Sequence, residues 1–173
     1  QPHLHLEPDC GYAYIDEDGM LTIHSKSIGI HLHMPMIAGG IGVPMEKLRM
    51  IQNHAGGTFG YKFSPTNEAI LGAAALICKR PVSLVFNMYQ NITGKRSPAF
   101  MHVKLAADEK GKLLALWGDN FIDHGPYSEF GDLLTMRLSQ FTGAGYGIGS
   151  IRNRSRTVFT NHAWGSAFRA YGS

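Results

Sequence analysis

Apolar positions recur at two spacings along this chain, and the change of spacing marks its elements. Cys10 to Ile15 reads as a strand, the polar Asp16-Glu17-Asp18-Gly19 as a turn, and Leu21 to His24 as a returning strand. From Ser25 to Ala38 the spacing lengthens. Ile28, Leu32 and Ile37 fall close to a helical repeat, which Pro35 is expected to kink and Gly39-Gly40 to end. Pro44 opens a short helical turn over Val43 to Leu48, and Arg49 to Asn53 is a short strand. Ser64 then serves as a helix N-cap with Pro65 at the first helical position and Glu68 in the first turn. Ala69, Ala73, Ala74 and Ala75 are small enough to let that helix lie close to a sheet, and Arg80-Pro81 stops it. Val82 to Phe86 alternates as a strand. His102 to Ala107 and Leu113 to Ile122 form a hairpin around Asp108 to Lys112. Leu133 to Phe141 is helical, Gly143 to Gly149 a loop, and Thr157 to Thr160 a last short strand. Strands and helices mix without a βαβ rhythm, so the fold class is α+β, with mixed sheets and packed helices.

Composition narrows the partners. The 173 residues allow one domain with a real core or two small ones. Net charge is +3, too mild to argue for nucleic acid without a clustered basic patch. Cys10 and Cys78 are the two cysteines and are expected as buried free thiols; no Cys-x-x-Cys occurs to hold zinc or an iron–sulfur cluster. No apolar run approaches the ~20 residues of a membrane span, and no signal peptide is visible, as expected of a cytoplasmic protein, with the periplasm left open. The chain opens on Gln1-Pro2-His3 and stops just after an aromatic and glycine cluster, which reads as a piece of a longer polypeptide.

Most local motifs have ordinary readings. Gly143 to Gly149 cannot be registered as G-x-G-x-x-G and reads as a flexible connection. His3/His5 and His31/His33, spaced by two, would share a face on a strand, but core or surface histidines are the favoured reading and no metal is assigned to them. Asn91-Ile92-Thr93 matches a glycosylation acceptor by chance. Asp123-His124 are adjacent, which makes them poor triad partners, and no G-x-S-x-G occurs.

Gly56-Gly57-Thr58-Phe59-Gly60-Tyr61-Lys62-Phe63 is different. Three glycines between a strand and a helix let bare backbone approach a ligand at positive φ. The following helix is expected to turn unpaired N–H groups toward the loop, a setting for an anion. A turn alone would have no use for Phe59. Near the C-terminal end, Phe168-Arg169-Ala170-Tyr171 sets a guanidinium between aromatics. That is either a surface cation–π arrangement or an anion clamp beside an aromatic wall.

Gly-Gly-x-Phe-Gly at 56–60, Gly94-Lys95-Arg96-Ser97-Pro98 and Ala167-Phe168-Arg169-x-Tyr171-Gly172 occur in that order. Together they make the chain resemble the molybdenum-binding part of the xanthine oxidase family. The wording Gly-Gly-Thr-Phe-Gly-Tyr-Lys-Phe-Ser-Pro-Thr and Asp-His-Gly-Pro-Tyr-Ser-Glu-Phe-Gly-Asp is similar to that of bacterial aldehyde oxidoreductases. The resemblance covers essentially the whole chain. It implies that residues 1–173 are part of one molybdopterin-binding domain of a longer protein, with that family's α+β fold.

It also implies oxidation of aldehydes to carboxylic acids with an oxygen derived from water. Gln1, Gly57, Phe59, Gly60, Phe168 and Arg169 would contact the cofactor, and Phe63 and Tyr171 would line the substrate pocket. The cofactor implied is molybdopterin cytosine dinucleotide, which holds the molybdenum with no ligand from this chain. The general-base glutamate and the 2Fe–2S clusters would lie in other parts of the protein, with a homodimer as the assembly and no membrane or nucleic acid as partner. Purine-oxidising relatives carry an acidic residue at the position of Phe63, so Phe63 favours an aldehyde. Arg137 aligns with another purine-binding position, and Ala170 replaces the family's usual glycine. No cysteine adjoins Ala167-Phe168-Arg169, against the copper-containing carbon monoxide dehydrogenases. The alternatives are a hydroxylase of purine- or nicotinate-like N-heterocycles and a non-catalytic cofactor-binding module.

Overall fold

The structure, a computed structural model, describes residues 2–170 and Gly172; Gln1 and Tyr171 lie outside the described residues. The chain divides into two compact units, Pro2–Thr93 and the stretch from Gly94 onward.

In the first unit β1 (Cys10–Ile15) and β2 (Leu21–Ser25) form the expected antiparallel pair. β3 (Leu48–Gln52) lies parallel to β2, and β4 (Val82–Val85) antiparallel to β1, in the order β3-β2-β1-β4. Helices α1 (Ile30–Ile41) and α2 (Thr66–Cys78) pack on this sheet, and α3 (Met88–Asn91) is a short helix closed by a reciprocal Asn87/Gln90 capping box. The core is Ala13, Leu21, Ile23, Ile37, Ala38, Leu48, Met50, Leu71 and Ala75, contributed by β1, β2, β3 and helices α1 and α2.

Helix α1 departs from expectation. It runs through Pro35 and through Gly39-Gly40 to Ile41, and Gly42 caps it at φ 73°. Pro35 and His31, whose carbonyl loses its partner to the proline, both lie on the exposed side, where water can serve that carbonyl. On the inner side Ile37, Ala38 and Ile41 pack against the core and carry the helix past the glycines.

Two glycines set the helix-to-sheet spacing. A Cβ on Gly72 would stand 3.0 Å from Ile41 Cδ1 and 3.1 Å from Ile23 Cδ1. One on Gly11 of β1 would stand 2.7 Å from the His24 carbonyl oxygen and 2.8 Å from Leu71 Cδ1.

In the second unit β6 (Ala99–Ala107), β7 (Leu113–Asp123) and β8 (Ser150–Val158) form one sheet, with β6/β7 antiparallel and β7/β8 parallel. Helix α4 (Gly131–Phe141) crosses from β7 to β8, and β5 (Lys95–Arg96) pairs with β9 (Gly165–Ser166) in parallel. The last strand is much longer than the Thr157 to Thr160 expected. Its residues facing α4 are polar and so escape a reading by apolar alternation. Asn153 donates to Thr142 Oγ1 at 2.8 Å, Ser139 to Ser155 Oγ at 2.8 Å, and Thr157 to the Gly131 carbonyl at 3.0 Å. Asn120 of β7 donates to Asn153 Oδ1 at 2.8 Å. The members of this half-buried polar seam largely satisfy one another, with Asn120 Oδ1 left without a partner among the described residues.

Cys10 is half-buried and Cys78 exposed, and both are free, so Cys78 is not the buried thiol expected. Asn91 is fully buried and its Oδ1 accepts the Asp9 N–H at 2.9 Å, which removes it as a glycosylation acceptor. No helix among the described residues is long and apolar enough to cross a membrane.

Gly11→Ala in the full-length protein is expected to lower stability by about 1–3 kcal/mol, because neither the His24 backbone nor α2 can step aside freely. Scanning calorimetry reads this as a lower transition temperature for the unit; an unchanged transition would show slack between β1 and α2.

Candidate functional site

The glycine loop leaves β3 and folds into a 3-10 turn, Tyr61–Phe63, before α2 begins. Its backbone is held in the left-handed region at Gly57 (φ 115°), Phe59 (φ 51°) and Gly60 (φ 106°). For Phe59, which has a Cβ, this conformation costs on the order of 1–2 kcal/mol. Its ring stays 38% exposed, so burial of the ring within this unit does not explain the strain. The N–H groups of Gly57 and Gly60 have no hydrogen-bond partner among the described residues. A run of such residues points backbone donors into a concavity suited to anionic or oxygen-rich groups.

Helix α2 does not supply the expected anion site. The 3-10 turn separates its first turn from the loop, and that turn contains the chain's own buried carboxyl, Glu68. Ser64 caps nothing: its hydroxyl is buried without a partner among the described residues, and Pro65 stands at the N-cap position.

Glu7 fixes the loop. Its Oε2 accepts the Gly56 N–H at 2.7 Å and the Lys62 ammonium at 2.7 Å, and its Oε1 lies 2.9 Å from Lys26 Nζ. Lys62 is almost wholly buried. Burial raises the Glu7 carboxyl, but Lys62, the Gly56 N–H and Lys26 outweigh it and hold it down at about 2. The glycines at 56 and 57 are required by crowding from the same segment. A Cβ on Gly56 would stand 2.8 Å from Glu7 Cβ, and one on Gly57 3.1 Å from His5 Cβ.

Two more carboxyls lie beneath this pair. Burial raises Asp9 to about 6, partly offset by the charge of Lys62. Burial and then the neighbouring Asp9 raise Glu68 to about 7, and Glu68 Oε2 has no partner among the described residues.

Phe63 closes the loop with its ring edge-on to His33, centroids 5.9 Å apart, and 3.3 Å from where a Cβ on Gly29 would be. The Phe63 carbonyl accepts from His33 Nε2 at 2.8 Å, so the proton sits on Nε2 and the Ser27 hydroxyl donates to Nδ1 at 2.7 Å. Burial lowers the His33 pKa and keeps the ring neutral. His3, His5 and His33 are core histidines, and among the described residues no group of three or more His, Cys, Asp or Glu is arranged to hold a metal ion.

In the second unit Phe168 is 8% exposed and Arg169 exposed, the guanidinium carbon lying 5.8 Å from the Phe168 ring centroid. Arg96 donates to the Arg169 carbonyl at 3.4 Å, and Ala170 takes φ 51°, the left-handed conformation that a glycine would adopt at no cost. Phe168 lines a cavity of about 460 Å³ with Arg96, Ser97, Ile122, Leu134 and Leu138. Arg137 donates to Gln140 Oε1 at 3.3 Å on the exposed side of α4. Buried His124 bonds Ser97 Oγ through Nδ1 at 2.7 Å, and Asp123 instead accepts from Thr160 Oγ1 at 2.5 Å and pairs with His162. Asp123 and His124 thus face different partners and form no triad.

The sequence-predicted residues therefore fall into two groups. Gly57, Phe59, Gly60 and Phe63 share one loop of the first unit; Phe168 and Arg169 share one segment of the second; Gln1 and Tyr171 lie outside the described residues. Glu7 and Lys62 escape the motif reading. The signal available for them is an unpaired lysine inside an otherwise apolar and glycine-rich loop.

The strained backbone cradle thus lies in the first unit and the arginine–aromatic segment in the second. The chain belongs to the molybdopterin cofactor-binding domain family, whose model matches residues 1–173. It is 58% identical over 175 residues to an aldehyde oxidoreductase of Megalodesulfovibrio gigas, covering 100% of this chain and 19% of that protein. It is 31% identical to the nicotinate dehydrogenase large molybdopterin subunit of Eubacterium barkeri, covering 98% of this chain and 40% of that subunit. The solved aldehyde oxidoreductase from Desulfovibrio gigas superposes with a TM-score of 0.94 at 57% identity, over 99% of this chain and 19% of that one. The chain thus spans about a fifth of the length of the aldehyde oxidoreductases it matches.

Asp9 and Glu68 generate a pH dependence. Both carboxyls titrate higher in the folded chain, Asp9 at about 6 against 3.8 and Glu68 at about 7 against 4.5. The folded state therefore holds more protons than the unfolded state between the two sets of values. Stability falls as pH rises through that window and levels off above it. Glu68→Gln is expected to stabilise α2 by about 3 kcal/mol at pH ~8 and by little at pH ~4. Amide exchange of α2 in the full-length protein, corrected for intrinsic rates, measures this; equal protection at both pH values would refute it.

Proposed function

We propose that this chain is the cofactor-binding part of a molybdenum hydroxylase that oxidises aldehydes to carboxylic acids. The observation that carries the proposal is the glycine loop. Phe59 is held in a strained conformation with an exposed ring, between the unpartnered N–H groups of Gly57 and Gly60. The residues fit the cofactor: bare backbone donors and a guanidinium suit the oxygens of a pterin phosphate and of a metal's ligands, and Phe59 and Phe168 offer apolar walls.

In this reading Gly57, Phe59 and Gly60, together with Phe168, Arg169 and Gln1, hold the cofactor. Bound molybdenum would supply a Lewis acid and a two-electron acceptor. This chain's residues orient the group and exclude water from one side of it. Phe63 and Tyr171 line the approach of the substrate, and the proton acceptor lies in a part of the protein beyond these residues. The bound form is the cytosine dinucleotide, and electrons leave through 2Fe–2S clusters elsewhere in the polypeptide. The whole protein is a homodimer of the cytoplasm.

Phe63 sets the substrate class. A phenyl ring cannot pair with the polar edge of a purine, and it lies on the same loop as Phe59. The 31% identity to a nicotinate dehydrogenase subunit favours a second reading, an N-heterocycle hydroxylase.

Molybdenum analysis and turnover of aldehydes, purines and nicotinate by the full-length protein separate these readings. The expected result is stoichiometric molybdenum and turnover of aldehydes alone. Active protein without molybdenum overturns both enzyme readings, and preference for a heterocycle overturns the first. Phe63→Glu is expected to lower kcat/KM for an aromatic aldehyde by at least about tenfold.

A further inference from the structure

The glycine loop is strained, yet neither a helix cap nor burial of the Phe59 ring within its own unit accounts for its conformation. What spans it is a single oxygen atom. Glu7 Oε2 receives the Gly56 N–H at 2.7 Å and Lys62 Nζ at 2.7 Å, and these two residues are the two ends of the loop. Between them lie Gly57, Phe59 and Gly60, the three residues at positive φ. The other oxygen, Oε1, is occupied by Lys26, which also donates to the His54 carbonyl just upstream of the loop. Other bonds also hold the loop: Tyr61 N–H to the Thr58 carbonyl at 2.9 Å, Lys62 N–H to Thr58 Oγ1 at 3.0 Å, Phe63 N–H to the Gly60 carbonyl at 3.1 Å, and the Ile28 N–H to the Lys62 carbonyl at 3.2 Å.

We propose that Glu7 is the positioning residue of the cofactor loop, one carboxylate oxygen drawing both loop ends together and so holding Phe59 and Gly60 at the backbone angles from which they meet the molybdenum cofactor. The inference rests on the reading that this loop contacts the cofactor. Glu7 touches neither cofactor nor substrate and acts through the loop.

The geometry also dictates which substitutions are informative. Gln at position 7 keeps one acceptor oxygen for Gly56 and Lys62, but it removes the countercharge of the buried ammonium and turns its NH2 toward Lys26, so it separates the shape of the tie from its charge. Removal of the carboxylate alone leaves Lys62 buried and unpaired, which threatens folding. Removing both charges at once, as Glu7→Leu with Lys62→Met, avoids that while cutting the tie.

The test uses the full-length protein carrying Glu7→Leu/Lys62→Met and, separately, Glu7→Gln. Two readouts are taken beside the transition temperature: amide exchange at residues 61–63, whose N–H groups are bonded within the loop, in cofactor-free protein, and molybdenum content with the electron paramagnetic resonance signal and kcat of loaded protein. For the double variant, exchange at 61–63 is expected to rise by about tenfold or more while that of β1 to β3 stays within about twofold. Its molybdenum signal should broaden or shift, and kcat should fall by about tenfold or more at nearly unchanged KM. Glu7→Gln, which keeps the acceptor and loses the countercharge, should lower the transition temperature of the first unit yet raise exchange at residues 61–63 less than the double variant does.

Unchanged exchange at 61–63 in the double variant overturns the clamp. A loosened loop with unaltered molybdenum content, signal and kcat overturns the reading that the loop meets the cofactor. Equal damage in both variants overturns the role of the shared oxygen.

Discussion

The first unit is organised around a lysine ammonium with almost no contact with solvent. Lys62 is paired with Glu7 at 2.7 Å, its side chain 1% exposed and that of Glu7 28%. A buried ammonium is tolerated only with its charge and donors answered, and removing one partner of such a pair costs on the order of 3–5 kcal/mol. That requirement fixes Glu7, and Glu7 in turn fixes Gly56 and Lys26. It also explains why two more carboxyls, Asp9 and Glu68, can be buried nearby: the Lys62 charge holds both below where burial alone would put them. The loop's glycines are consequences of the same crowding, since the segment around His5 and Glu7 fills the space a Cβ at 56 or 57 would need.

The second unit is held differently. There the contact between α4 and β8 is hydroxyl and amide chemistry, with Ser139, Thr142, Asn153 and Ser155 linked to one another, Thr157 bonded to the Gly131 carbonyl and Thr135, and Asn120 reaching in from β7. Such networks trade little net stability for a defined arrangement, because each misplaced member leaves a buried group unpaired. The Phe168-Arg169 segment, proposed above to contact the cofactor, gains from a support that permits few alternative packings. The left-handed Ala170 beside it is a strain that a loose scaffold would let relax.

The legible part of the sequence was the part governed by apolar period and by turn chemistry. β1 and β2 around their Asp-Gly turn, the β6/β7 hairpin and α2 ending before Arg80-Pro81 all follow from those two rules. The misses share one cause, a tertiary contact that overrides a local preference. Pro35 and Gly39-Gly40 fail to break α1 because Ile37, Ala38 and Ile41 are committed to the core. β8 is invisible as alternation because its inward residues are polar and its outward ones are Arg152, Arg154 and Arg156. Of the candidate site, the glycine loop and the Phe168-Arg169 segment were readable as motifs, since close backbone approach and planar charge recognition demand particular residue types. Glu7 and Lys62 were not, because they meet across 55 residues of chain and only the fold brings them together.

Phe63 shows how tightly one side chain of this loop is tied to its scaffold. Its carbonyl holds the proton of His33 on Nε2, its ring packs against His33 and Gly29, and it follows directly on the buried Lys62. An acidic side chain here would lay a charge against a histidine whose charged form burial already disfavours. Replacing Phe63 by a carboxylate therefore meets a cost within the first unit, in lost ring packing against His33 and Gly29 and in a charge set beside them, apart from any effect on a ligand.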